Sequence, residues 1–109
     1  MTLGELIKIL EATGYPVAYS HFIVTPGKSV PAPPYICILV DGSANLMADN
    51  KVYHKIDDAN IELYTIKKDL VAEAKLENVL DDHEIPYDSY GTFIESEKMY
   101  QKIYETRLI

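Results

Sequence analysis

The sequence has no tryptophan, one cysteine, and no basic run longer than the pair Lys67-Lys68. A lone Cys37 excludes an intramolecular disulfide, and its setting in the apolar run Tyr35–Val40 suits a small core residue better than an activated thiol. Without a Lys/Arg cluster to neutralise phosphates, direct or sequence-specific nucleic-acid binding is not expected. Attraction to an anionic membrane surface is disfavoured for the same reason. No apolar stretch approaches the ~20 residues a membrane-spanning helix needs, and no basic start followed by an apolar segment suggests a leader peptide. The five glycines are scattered and form neither a phosphate-binding loop nor a Gly-x-Ser-x-Gly elbow.

Metal and acid–base chemistry find little support. His21, His54 and His83 stand apart from one another, with no Cys-x-x-Cys or His-x-x-x-His spacing, so no metal ligands and no cofactor are expected. Asp57-Asp58 and Asp81-Asp82 supply oxygens without the glycine and ligand order of a calcium loop, which suits solvated turns or helix faces. No catalytic residue is nominated, and the chain is not expected to be an enzyme.

What is present describes one domain over residues 1–109. The chain is 48% hydrophobic, carries a net charge of −7, and contains nine tyrosines. Tyrosine covers apolar surface while keeping a polar tip wet, which suits half-buried sheets and protein interfaces alike. Thr2 followed by Glu5 forms a capping-box pattern. Leu3, Leu6, Ile7 and Leu10 share a face, and Gly14 and Pro16 stop a helix expected over 2–13. Val17–Val24 has strand composition. Thr25–Pro34, with four prolines in ten residues, is expected as a stiff extended connector, and Tyr35–Val40 as a strand buried on both faces. Asp41-Gly42 gives a turn signal.

Ala44–Ala48 and Lys51–Ile56 flank Asp49-Asn50 and suggest a short hairpin or projecting arm. Within Asn60–Ile66, Ile61, Leu63 and Thr65 face one way and Asn60, Glu62 and Tyr64 the other. A second helix is expected over 69–83. Ala72, Leu76, Val79, Leu80 and His83 form its apolar stripe, and Glu73, Lys75, Glu77, Asp81 and Asp82 lie in water. Tyr87–Ile94 and Lys98–Leu108 read as strands joined at Glu95-Ser96-Glu97. Aligning Pro16 with Pro86 places Leu6 over Leu76, Ile9 over Val79 and Leu10 over Leu80, an echo common enough to arise by chance. The sum is an α+β fold with a mixed, mainly antiparallel sheet, two packed helices and a projecting hairpin or loop.

Two segments are conspicuous as binding features. Pro31-Ala32-Pro33-Pro34 satisfies a loose Pro-x-x-Pro pattern without a flanking arginine, and a rigid internal connector is the plainer reading. Leu46 and Met47 are consecutive, so they cannot both face one core in a simple strand, which leaves one to be offered to a partner. The candidate subunit-interface residues are Pro33, Pro34, Leu46, Met47, Val52 and Tyr53.

The order of segments is similar to a known group. Tyr35–Val40, Met47–Tyr53 and Ile61–Thr65 lead through Lys67-Lys68-Asp69 into the second helix, then Ile85–Tyr87, Thr92–Glu97 and Met99–Tyr104 follow. From about Leu6 to Glu105 this resembles the small tail-completion, tail-terminator or head–tail joining proteins of siphophages and prophages of Gram-positive bacteria. The resemblance implies an α+β subunit of a homo-oligomeric ring, commonly a hexamer. Such a ring caps the tail tube protein, docks to the head–tail connector protein and resides in the virion neck after assembly in the host cytoplasm. It brings no catalytic residues. The alternative is a monomeric protein-binding or regulatory domain encoded by a phage or prophage.

Overall fold

The structure is a computed structural model that describes residues 1–20, 31–43, 46–48, 51–54 and 56–108. Helix α1 spans Leu3–Glu11; β1 is Val17–Tyr19, β2 Tyr35–Ser43, β3 Leu46–Ala48, β4 Lys51–His54 and β5 Asp57–Thr65. Helix α2 spans Leu70–Asp82, and β6, Asp88–Ile94, and β7, Met99–Leu108, complete the chain. The strands form a five-stranded sheet in the order β1-β2-β5-β7-β6, with β1 parallel to β2 and every other pairing antiparallel. This is the α+β architecture that the periodicities imply. Strands β3 and β4 form a separate antiparallel pair. Among the described residues no helix is long and apolar enough to cross a membrane.

Alternation along β5 decides where the core lies. Ala59, Ile61, Leu63 and Thr65 are buried, whereas Asp58, Asn60, Glu62 and Tyr64 are half-exposed. The buried set joins Ile36 and Ile38 of β2 and Tyr104 and Leu108 of β7, and against it pack Leu6 and Leu10 of α1 and Ala72, Leu76 and Leu80 of α2. Both helices thus cover one face of the sheet. Each fully buried leucine or isoleucine contributes about 1.5–3 kcal/mol from removing its apolar surface from water.

The caps follow the sequence signals closely. Thr2 Oγ1 accepts from Glu5 N at 3.1 Å, and Asp69 Oδ1 accepts from the amides of Val71 and Ala72, both at 3.1 Å. The echo between the two halves has a structural counterpart. Gly14 and Glu84 both take positive φ, at 85° and 55°, each two residues before a proline that leads into an outer strand. The matched pairs Leu6/Leu76 and Leu10/Leu80 are all fully buried. At Gly14 the left-handed turn suits glycine, while at Glu84 a side chain adopts it and Ile85 N donates back to Leu80 O at 2.9 Å.

Four expectations change. Asp41-Gly42 does not turn: both residues lie in β2, where a bulge between Val40 and Gly42 absorbs the irregularity. The strand beginning at Val17 ends at Tyr19, because Ser20 takes φ 66°. The rest of that expected strand, and the connector up to residue 30, lie outside the described residues, as do Ala44, Asn45, Asp49, Asn50 and Lys55. His83 is exposed rather than on the stripe, its Nδ1 lying 2.9 Å from Val79 O. Glu73 is buried rather than solvated, at 5% exposure.

Candidate assembly surface

The face of the sheet away from the helices is built from polar and aromatic side chains. A cross-strand row runs Tyr35, Tyr64, Gln101 and Thr92 over β2, β5, β7 and β6. The Tyr35 and Tyr64 rings stack with centroids 5.1 Å apart. Gln101 Nε2 donates to Tyr64 Oη at 2.9 Å, and Tyr64 Oη donates to Glu62 Oε1 at 3.0 Å. Burial first, and then the Glu62 carboxylate, push the Tyr64 hydroxyl above its ordinary range, so it stays a protonated donor. Cys37, opposite Glu62, is buried, and burial followed by the Glu62 charge raises its thiol to about 11. A thiol so placed is protonated at neutral pH and a poor nucleophile.

One end of the sheet gathers apolar side chains in water. Thr65, Tyr100 and Phe93 form a row across β5, β7 and β6, and the chain leaves Thr65 through Ile66 toward α2. Ile66, Leu70 and Val71 are 66%, 70% and 69% exposed, and Phe93 is half-exposed. Two positively charged side chains border this end. Lys68 Nζ lies 5.0 Å from the centroid of the Tyr100 ring, and both Lys68 and Lys102 reach Glu73.

The six residues nominated from sequence lie in two separate stretches of the fold. Pro33 and Pro34, joined by a cis peptide bond and half-buried, precede Tyr35 at the end that carries Ile66 and Phe93. Leu46, Met47, Val52 and Tyr53 lie in β3 and β4, placed by backbone pairing alone, with Met47 opposite Val52 and a register shift after Leu46. That pair is inserted between Ser43 and Asp57, which are partners at the far end of β2 and β5. With ~3.4 Å per residue along a strand, the two groups attach at opposite ends of the sheet.

The exposed apolar residues were not nominated from sequence, although a signal existed. Leu70 and Val71 fall off the Ala72–Leu76–Leu80 stripe at helical spacing, immediately after the N-cap Asp69. A groove of about 720 Å³ beside β5, β6 and β7 is lined by Asp58, Tyr87, Asp88, Glu105 and Arg107, among others. Within it Arg107 Nε lies 3.2 Å from Asp58 Oδ1. Among the described residues no group of three metal-ligating side chains converges. The chain matches no protein-family model and no curated protein.

Proposed function

We propose that the protein is a structural subunit of a phage head–tail interface, a tail-terminator or completion protein whose ring caps the tail tube and docks to the head connector. The observation that carries this reading is the set Ile66, Leu70, Val71 and Phe93, four large apolar side chains left in water at one end of the sheet. A chain of net charge −7 gains nothing in solubility from such a set, and large apolar side chains left exposed at one end of a sheet suit contact with other proteins. A ring needs two different, complementary patches on each subunit; the end of β5 would supply one, and the β3–β4 pair, inserted at the opposite end of β2 and β5, is the candidate for the other. A negative charge also suits subunits around a channel that DNA passes through, because it avoids sticking. The virion neck is the corresponding location.

The alternative, a monomeric phage-encoded binding or regulatory domain, is favoured by the same apolar end serving a single partner. Light scattering after size exclusion, across a concentration series with and without assembled tail tubes, separates the two. A ring-sized species, alone or on the tubes, is the expected result. A protein that stays no larger than a dimer in both settings and does not bind the tubes overturns the head–tail reading.

A further inference from the structure

The five-stranded sheet ends in two edges of different character. Strand β1 has only three residues, and Ser20 after it takes φ 66°. Strand β6 has seven, Asp88-Ser-Tyr-Gly-Thr-Phe-Ile94; the first six are exposed and Ile94 is half-buried. Sheet edges in soluble proteins are usually guarded by lysine, proline, shortness or a cover, because a bare row of backbone amides and carbonyls recruits another strand. Strand β6 contains no lysine, arginine or proline, and Tyr90 and Phe93 project 51% and 50% exposed from its two sides. Among the described residues it is a long, uncovered and nearly uncharged edge.

We propose that β6 pairs antiparallel with β6 of a second copy, about a two-fold axis at Gly91, joining the two sheets into one of ten strands. The occupant is argued from the strand's own pattern. Full overlap of seven residues centres on Gly91 and sets Asp88 opposite Ile94, Ser89 opposite Phe93 and Tyr90 opposite Thr92. Each aromatic ring then faces a smaller side chain, and Gly91 at the axis brings no side chain of its own, its place being taken by the Tyr100 ring of the same copy. The single charge, Asp88, meets an isoleucine and not its own copy. Two molecules of charge −7 repel over most of their surface, so a contact between copies forms where charge is lowest, and β6 is such a place. Pairing satisfies the outward backbone groups of both strands and adds cross-strand contacts on both faces.

This contact shares Phe93 with the apolar end but is distinct from a ring contact, since a two-fold contact closes at two copies and cannot propagate a ring. Two double variants test it in the free protein. In Tyr90→Lys/Thr92→Lys the register sets lysine opposite lysine twice. In Tyr90→Lys/Thr92→Glu it sets lysine opposite glutamate twice. Circular dichroism confirms folding, and sedimentation equilibrium at low salt reads the dimer, at concentrations below any larger species. The wild type is expected at dimer mass, the Lys/Lys variant dissociates at least about tenfold more readily, and the Lys/Glu variant stays within a few-fold of wild type. Added salt narrows the gap between the variants. A wild type that is monomeric at several hundred micromolar overturns the proposal. So does any result in which the two variants associate equally.

Discussion

Glu73 Oε1 accepts a hydrogen bond from Lys68 Nζ at 2.9 Å although the Glu73 side chain is only 7% exposed. Its Oε2 lies 2.8 Å from the same ammonium but out of line for a hydrogen bond, so it is stabilised by charge alone. Lys102 Nζ adds a second cation 3.6 Å from Oε1. A carboxylate on a helix face that packs against the sheet is tolerated because two lysines compensate the lost hydration. Glu73→Gln keeps the shape and removes the charge, leaving Lys102 without its ion pair. It should cost about 1–3 kcal/mol. Lys68→Met should cost at least as much, because it strips the buried carboxylate of its hydrogen-bond donor and nearer cation and leaves only Lys102 at 3.6 Å. Urea midpoints at constant slope measure both, and an unaffected Glu73→Gln midpoint would remove the pair from the account of stability.

A second expectation concerns alkaline pH. The Cys37 thiol is raised from 9.0 to about 11 by burial and then by Glu62, and the hydroxyls of Tyr64 and Tyr104 are raised by burial and neighbouring carboxylates. Each group therefore holds its proton more tightly folded than unfolded. Its contribution is fully present below the unfolded value and is lost as pH rises through the folded one. Lys68 acts in the same direction, its pKa raised from 10.5 chiefly by the hydrogen bond to Glu73. Stability should be flat in this respect up to about pH 9 and then fall. The cysteine alone accounts for about 1–3 kcal/mol of the loss between pH 9 and 11. Cys37→Ala should flatten that part of the curve in denaturant titrations; an identical slope in the variant would mean the thiol is not the group responsible.

Gly91 is the third test. A methyl group there would meet Tyr100, with ring carbons 2.8 and 2.9 Å from the new carbon and the hydroxyl nearer still. The ring is partly buried and lies under the Lys68 ammonium, so moving aside would cost packing and that contact. Gly91→Ala should destabilise by about 1–3 kcal/mol as overpacking. In a Tyr100→Ala background the same change should be nearly neutral, since the obstacle is gone. Thermal unfolding of the four proteins closes the cycle, and additive effects would show that the ring does not limit residue 91.

Much of the fold is legible in the chain because it rests on local periodicity. The alternation through Ile61, Leu63 and Thr65 gives the buried face of β5, and Thr2 and Asp69 give the helix starts. Asp41-Gly42 misleads because turn residues are also bulge residues, and only the pairing partner, here Asp58 opposite Gly42, distinguishes the two. Glu73 misleads for a different reason. Its spacing to Leu76 and Leu80 puts it on the buried stripe, yet its charge argues for water. The lysines that reverse that argument come from outside the helix, one of them twenty-nine positions away in the sequence, at Lys102. The candidate surface was half legible: prolines 33 and 34 fall at the apolar end, whereas the exposure of Leu70 and Val71 depends on how α2 lies on the sheet.

That exposure supplies the last test. Leu70 and Val71 occupy the first turn of α2, where the backbone amides carry partial positive charge, and they are 70% and 69% exposed. Leu70→Glu and Val71→Glu therefore place charge where the helix favours it and remove apolar surface that the isolated subunit does not bury. Folding stability should change by no more than about 0.5 kcal/mol. Association beyond the dimer, or binding to tail tubes, should weaken by about tenfold or more, because each glutamate would have to be desolvated in the contact. Unfolding midpoints and size-exclusion light scattering on the same samples read the two effects separately. Unchanged stability with lost association assigns this end of the molecule to assembly. A large loss of stability would mean the two side chains are covered in the free protein, and unchanged association would move the contact elsewhere, toward the β3–β4 pair.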